Sequence, residues 1–340
     1  MDLPESLDGR RVSLRHRVGE RDGRPLHSDA VGELTLGADA VTVQTRRGPV
    51  RVRRDAVVAV RAVPPAVPRR PSWAVVARLE ELCADAWPAL VEQRMGAWRL
   101  RAAGGYTARA NTALALGDPG MPVPDALDAV RAFAAAHGVP PRVTVPAGSP
   151  WDTAVGRAGW TIDVGHGAGA EVAVLVADLR TLDAAPKPES QPGAGPGPGA
   201  RPGPGPGPWT VTTPERPDDD WWALGLHGAR PTPVQAHVVA PRDVPTAYVL
   251  ARDAGGAAVG QVRASVVEDH LHLAWLEVVP AARRRGLGTD LVAAAAAWGR
   301  GRGARFGVLQ VALRNTGARA LYASTGWTEH HRYRHLVPVR

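Results

Sequence analysis

The chain has 340 residues, a formal net charge of +8 and one cysteine, Cys83. That length allows two or three domains, a lone cysteine excludes an intrachain disulfide, and no Cys/His cluster has zinc spacing. The N-terminus lacks the apolar core of a signal peptide and no apolar run nears the ~20 residues of a membrane helix, so a soluble, cytoplasmic protein with no membrane partner is expected.

The positive charge raises nucleic acid as a partner. Lys187 is the only lysine, however, in a chain rich in Arg, Ala, Gly and Pro. That bias runs through the whole composition and does not mark a binding surface.

Residues 10–63 read as short strands. VSLRHRV (12–18) alternates, AVGELTLG (30–37) and AVTVQTRR (40–47) part at Gly37-Ala38-Asp39, and further strands run to Pro64-Pro65. So many strands in about 55 residues predict a small all-β, SH3-like barrel over 1–65, a docking module more than an enzyme. The arginines at 46, 47, 51, 53 and 54 are the contacts it could offer nucleic acid, and a solvated strand face is the preferred account of them.

From Trp73 a helical pattern places Leu79, Leu82 and Cys83 on one face, and Pro88 bends or ends it. Strand-like pieces follow from Ala97 to Gly117. A second helix spans 125–138, with Asp125 in its first turn and Gly138 as its stop. A strand at 142–145 and a helix ending at Gly159-Trp160 come next. The order helix, strand, helix, Gly-Trp occurs again from Thr289 to Gly326-Trp327, so 125–160 and 289–327 read as an internal repeat. The first copy has GDPGMPVP before its helix, without arginine, and is expected to bind no phosphate. Residues 184–208 end in QPGAGPGPGARPGPGPGP, a linker that can form neither core nor ladder.

After it, Asp218-Asp219-Asp220 can cap a helix carrying Trp221 and Trp222, which are expected in a core more than in an acceptor cleft. Strands are expected at 246–253, 258–268 and 270–279. The stretch Leu276–Gly288, LEVVPAARRRGLG, carries the chemistry. A strand stops at Pro280, a basic glycine-bearing turn follows, and a helix opens at Thr289. Such a turn offers free amides at the positive end of a helix. Glycine lets an anion approach the backbone, and arginines add charge-assisted bonds. A bound pyrophosphate fits. The spacing is neither that of a P-loop nor of the dinucleotide fingerprint. At the C-terminus His330, His331 and His335 match no metal-ligand spacing, and a last strand alternating Tyr333, His335 and Val337 is expected.

Arg283-x-x-Gly286-x-Gly288, together with strands LEVVP and VLQVAL, Asn315, Ala320-Leu321-Tyr322 and Gly326-Trp327, resembles the GCN5-related N-acetyltransferase superfamily over about residues 246–335. The layout is similar to that of uncharacterised actinobacterial members with an N-terminal SH3-like domain. The resemblance implies an α/β fold with a mixed sheet (α+β) in two repeated halves, degenerate over 70–183 and intact over 209–340. It also implies acetyl-CoA as co-substrate, an amine acceptor and no metal. Two central parallel strands would splay, with the backbone of Leu276, Val278 and Val279 along the pantetheine. Arg283, Arg284, Arg285, Gly286, Leu287, Gly288 and Thr289 would hold the pyrophosphate, and Asn315 would bond the pantetheine arm. Tyr322 would face the thioester sulfur as acid.

For the base, the position used by some members is Gln310, which takes no proton at neutral pH. His272 stands ahead of Glu277, which period-2 alternation puts on the opposite face, and a water relay is the third option. The function implied is N-acetyl transfer by direct attack in a ternary complex. The alternative is a catalytically silent acyl-CoA-binding regulatory protein. The acceptor stays open among small amine, antibiotic, peptide N-terminus and protein lysine.

Overall fold

The computed structural model describes residues 3–45, 48–63, 71–167, 169–182 and 209–339. Arg46, Arg47, Pro64-Pro65 and the linker 184–208 lie outside the described residues. The chain divides into two compact units, Met1–Arg69 and Arg70–Arg340.

The first unit is a five-stranded antiparallel sheet of β1 (Arg11–Arg21), β2 (Arg24–Leu36), β3 (Ala40–Thr45), β4 (Gly48–Arg53) and β5 (Val57–Ala62), in the order β4-β3-β2-β1-β5. Alternation turns Val12, Leu14, Leu34, Val41 and Val43 into one core. The first hairpin is longer than the pattern at 12–18 suggested. Asp22 and Gly23 take φ of 51° and 73°, the mirror-image turn whose twist suits a tight hairpin. The Asp-Gly pair is the signal that reading passed over. A 3-10 turn, Arg54–Ala56, leads into β5. Arg53 pairs with Asp55 at 2.6 Å and Arg54 donates to the Gly37 carbonyl at 2.9 Å, so both are engaged locally.

The second unit begins with α1 (Trp73–Ala86), capped by Ser72 and ended before Pro88. There follow β6 (Val91–Met95), β7 (Trp98–Ala102), β8 (Ala113–Ala115), α2 (Val123–Ala136), β9 (Val143–Pro146), α3 (Pro150–Arg157), β10 (Trp160–Ile162) and β11 (Glu171–Asp178). Beyond residue 208 come β12 (Trp209–Thr212), α4 (Asp219–Gly225), α5 (Pro233–Val239), β13 (Thr246–Asp253), β14 (Ala258–Val267) and β15 (His270–Val278). The chain ends with α6 (Leu287–Gly301), β16 (Phe306–Ala312), α7 (Thr316–Ser324) and β17 (Thr328–Pro338). Asp218 caps α4, accepting from the Trp221 amide at 2.7 Å. α5 was not anticipated; its signal is the Thr232/Gln235 capping box.

These strands form one 12-stranded sheet, ordered β12-β13-β14-β15-β16-β11-β17-β9-β8-β7-β6, with β10 on β17. The described pairs are antiparallel except β8/β9 and β15/β16. β11 lies between β16 and β17, and β17 runs on from β11 to pair with β9 and β10. The expected boundary at 184–208 therefore divides the chain and not the sheet. The reason is in β11 itself: Val172–Leu175 is buried on both faces, so this apolar run demands cover on both sides and neighbours on both edges.

The two faces differ. α6 and α7 cover one, with Leu271, Leu273, Val262, Leu309 and Val311 beneath them. The other carries α1, on Val174, Val308 and Tyr333, and α4 and α5, where Trp221 and Trp222 join Tyr248 and Ala274 in a core. Among the described residues no helix is long and apolar enough to cross a membrane.

Candidate active site

The parallel pair at the centre of the sheet opens. β15 and β16 pair from His270 with Phe306 to Leu273 with Leu309, and no further. The cause is a bulge. Opposite β14, the register steps from Arg263–Ala274 to Gln261–Glu277, which places extra β15 residues against Val262, and Trp275 takes φ 58°. A bulge bends its strand, so Leu276–Val278 continue beside β14 without a partner on β16. Left-handed backbone at a non-glycine residue costs ~1–3 kcal/mol. The indole that pays this sits edge-on to Trp221 at 5.1 Å and Trp222 at 6.1 Å, which lock it in place.

At the mouth of the opening, Pro280–Ala282 forms a 3-10 turn. Arg283 Nε then reaches back to the Val278 carbonyl at 2.8 Å, tying the turn to the strand. Arg284 has φ 59°, and Gly286, at φ 93°, precedes α6. The Gly286 carbonyl accepts from Thr289 at 2.9 Å and from Asp290 at 3.1 Å. The amides of Gly286, Leu287 and Gly288 bond no group among the described residues, as expected for the first turn of a helix. Unbonded amides at a helix start are the kind of donors that can receive an anion. The helix begins at Leu287, two residues before the Thr289 expected from the sequence.

α7 closes on this turn: a Cβ at Gly288 would lie 3.1 Å from Leu321 Cδ2, so glycine there lets the two helices touch. Arg285 lies over Trp209 at 5.7 Å, and Trp209 Nε1 donates to Asp290 Oδ2 at 2.8 Å.

The turn Arg283–Gly288 thus meets the end of β15 at Val278 and α7 at Leu321, and two expected residues have part of their bonding already taken. The Val279 amide is spent on the Val259 carbonyl at 3.0 Å, which leaves the unpaired edge of β15 to Leu276 and Val278. Asn315 caps α7, its Oδ1 accepting from the Ala318 amide at 3.1 Å, so only its amide nitrogen is left to bond outward. Tyr322, one residue on from Leu321, has its ring enclosed and edge-on to Trp327 at 5.8 Å. Burial pushes its phenol pKa up, so it is a protonated donor at neutral pH. Its hydroxyl bonds no described group.

The bulge corrects one expectation. Simple alternation puts Glu277 on the opposite face from His272. His272 faces Ser265 and Glu277 faces Gln261, both odd-numbered positions on β14, so the extra residue returns Glu277 to the same face as His272. The two differ in surroundings. His272 is 1 % exposed, with Gln310 beside it, and neither ring nitrogen makes a well-formed hydrogen bond among the described residues. Burial, with Arg109 and Arg263 adding to it, holds its pKa well below the usual histidine value. The Glu277 side chain is 25 % exposed, with His227 Nδ1 at 3.8 Å. Gln310 is held between Arg109 at 3.0 Å and Glu80 at 3.4 Å. These partners come from α1 and the loop 103–112, and contacts this distant in sequence leave no local pattern to read.

Among the described residues no group of three or more His, Cys, Asp or Glu could hold a metal. His330 meets His331 at 2.8 Å, and His331 meets buried Glu80 at 2.9 Å. Tyr333 and His335 point inward from β17.

A sheet opened between parallel strands, with a glycine-arginine turn and helix start at its mouth, defines the GCN5-related N-acetyltransferase class. A solved GCN5-related N-acetyltransferase from Kribbella flavida superposes with a TM-score of 0.55 at 18% identity, covering 77% of this chain and 95% of that one. The family model described as "Probable histone acetyltransferase Rv0428c C-terminal" matches residues 74–336, and the chain belongs to that family. The "Probable histone acetyltransferase Rv0428c" of Mycobacterium tuberculosis (strain ATCC 25618 / H37Rv) is 27% identical over 336 residues, 96% of this chain and 94% of the relative.

Proposed function

We propose that this protein transfers the acetyl group of acetyl-CoA to an amine by direct attack in a ternary complex. The observation that carries the reading is the opening after Leu273 and Leu309, with unspent amides at Gly286–Gly288 on its rim. The pyrophosphate lies against those amides and Arg283–Thr289. The pantetheine runs along Leu276 and Val278, with the Asn315 amide nitrogen beside it. Family membership and the Kribbella likeness support this arrangement.

An alkyl amine with a pKa near ~10 arrives protonated and must lose a proton before attack. Glu277 takes it, directly or through water: it is partly exposed and on the face that α4 and α5 flank. His272, sealed and neutral, shapes the site. The Val278 amide, on the unpaired strand edge, donates to the carbonyl oxygen as negative charge grows there. Tyr322, protonated, donates a hydrogen bond to the departing sulfur, whose thiolate pKa of ~8.5 lets it leave with the charge shared and without full proton transfer. No metal enters. The acceptor classes open to it include a protein lysine, which the name of the mycobacterial relative suggests, as well as small amines and peptide N-termini.

The same reading assigns 1–65 to an SH3-like barrel that docks a partner, protein ahead of nucleic acid. The strand order β5-β1-β2-β3-β4 and the 3-10 turn before β5 support it. Residues 70–183 are a degenerate half, 184–208 a linker and 209–340 the intact half, in a cytoplasmic protein. Supporting the repeat, β8-α2-β9-α3 and β15-α6-β16-α7 follow one order around a parallel pair.

Acetyl-CoA is expected to raise the melting temperature, as ~2.7 kcal/mol of stabilisation at 100 times Kd requires. No shift at millimolar acetyl-CoA ends the proposal. A silent acyl-CoA-binding regulator is the second reading, favoured by Gln310 and sealed His272 where bases could stand. Cofactor binding without thiol release across a panel of amines and peptides decides for it.

A further inference from the structure

On the acceptor face two arginines stand without a paired carboxylate among the described residues. Arg263, on β14 beside the bulge, is fully buried. Its Nε donates to the Val239 carbonyl at 2.6 Å, while Nη1 and Nη2 have no partner among the described residues. Arg109 joins it: the two guanidiniums lie over the same Trp87 ring, at 5.0 Å and 4.8 Å from its centroid. No carboxylate pairs with either in the described residues. The charged neighbour of Arg263 is Arg109, and burial depresses its pKa to about 10. On the same face Gln261, two residues before Arg263 on β14, also keeps its side-chain polar atoms unpartnered among the described residues. A buried cation left unpaired costs several kcal/mol, and buried polar groups in folded proteins almost always find a partner. So many orphans on one patch mark a place where something polar from outside belongs.

Arg109 connects this patch to the opening. It is half-buried, and it bonds Gln310, the first β16 residue past the last pair with β15. It also lines a hollow with Arg101, Gln310, Thr112 and Tyr333 whose free space is about 20 Å³. That admits a water or one small planar group, and no phosphate or bulky side chain. Glu80, the acid among the lining residues, is engaged by His331 at 2.9 Å and Gln310 at 3.4 Å. Arg101 answers to Glu92 at 3.4 Å. Arg109 and Arg263 remain the uncompensated pair.

Resting on the acetyltransferase reading, we propose that the acceptor is an amine that also carries a carboxylate, and that Arg109, backed by Arg263, receives that carboxylate. A planar guanidinium matches a carboxylate with two parallel bonds. A lysine-rich basic segment would face the two unpaired guanidiniums, so amino acids and related small amino-carboxylates are the favoured class.

The test compares matched acids and amides on the full chain with acetyl-CoA: alanine against alaninamide, β-alanine against β-alaninamide, and 5-aminovalerate against its amide, beside a lysine-rich peptide. Thiol release gives kcat/KM. The expected result is that in at least one pair the acid exceeds the amide by tenfold or more. Arg109→Gln should erase that preference, and Arg109→Lys should restore part of it. Equal rates for acids and amides, or the basic peptide as best acceptor, overturn the proposal, and this comparison needs no variant. If acetyl-CoA binds but no amine reacts, melting shifts decide: N-acetylated acids that stabilise where their amides do not support it, and no shift overturns it. Absence of an acetyl-CoA shift strikes the acetyltransferase reading instead, and is read separately. Retention of that shift by Arg109→Gln certifies its fold.

Discussion

The large sheet holds two short parallel pairs, β8/β9 and β15/β16, each joined by a helix across one crossover. Their mouths differ in kind. Before α6 stand Arg283–Gly288, with the amides of Gly286–Gly288 unbonded among the described residues and Arg284 and Arg285 exposed. Before α2 stands Gly117-Asp-Pro-Gly-Met-Pro-Val-Pro, where Pro122 precedes the helix and Pro124 lies in its first turn, so a donor that an anion could use is missing. The turn is already occupied: Gly117 O accepts from Trp98 Nε1 at 2.8 Å and Asp118 O from the Ala97 amide at 2.7 Å. A shared strand-helix-strand frame thus does not make a phosphate site. Under the proposed reading the unbonded amides before α6 are the donors that such a site needs, and the prolines before α2 remove one.

The largest effect should come from filling the open mouth. Gly286 sits at φ 93°, where a side chain strains the backbone, and a carboxylate there meets the anion it is meant to exclude. Gly286→Glu is expected to lower acetyl-CoA affinity by more than about 100-fold, since ~2.7 kcal/mol is lost with two or three charge-assisted bonds. The check is the melting shift, present in the parent and absent in the variant. Equivalent charge placed in the other mouth, as Met121→Glu, should leave the shift intact.

Next come the groups on the acceptor face. Glu277→Gln should lower kcat by about 10²–10³-fold, the usual yield of a positioned base, with the KM for acetyl-CoA unchanged. His272→Asn should cost less than about fivefold, because a sealed neutral imidazole moves no proton. Steady-state rates in both cofactor and acceptor separate these, and a reversed ranking would return the base to His272. Tyr322→Phe should reduce kcat about tenfold or more without changing the melting shift by acetyl-CoA, because the ring stays packed on Trp327.

Much of this half was legible in the residues. β13 occupies the expected Thr246–Asp253, and the Leu276–Gly288 stretch is strand, turn and helix start in that order. What local pattern could not carry is pairing at long range. β11 looks like any buried strand, and nothing in EVAVLVAD says that it inserts between β16 and β17. The bulge at Trp275 is invisible to a period-2 count, and it alone moves Glu277 to the other face. Arg109, arriving from the loop 103–112 onto Gln310, has no signature beyond being an arginine. Trp98 tests the closed mouth: fully buried and bonded to Gly117, it should cost about 3–5 kcal/mol of stability as Trp98→Ala. Urea unfolding with and without acetyl-CoA should show the loss while the cofactor's increment persists.

The effect that is smallest at neutral pH belongs to His335 on β17, where that strand crosses from β11 to β9. Its Nδ1 bonds Thr144 Oγ1 at 2.8 Å. Around it stand His166, edge-on at 5.5 Å, Tyr333 at 5.3 Å, and the charges of Arg142 and Arg109. Burial first, then those cations, lower its pKa to about 3. The folded state therefore keeps it neutral while the unfolded chain binds a proton below ~6.5. With more protons bound in the unfolded state, stability falls as pH drops from 6.5 toward 3, by up to ~1.4 kcal/mol per pH unit from this one group. His335→Gln keeps a partner for Thr144 and cannot take up that proton. Its acid unfolding, followed by denaturant titration at pH 7, 6, 5 and 4, should lose one proton's worth of slope relative to the parent. An unchanged slope would mean that His335 titrates freely in the fold and that the junction between β17 and β9 is open to water.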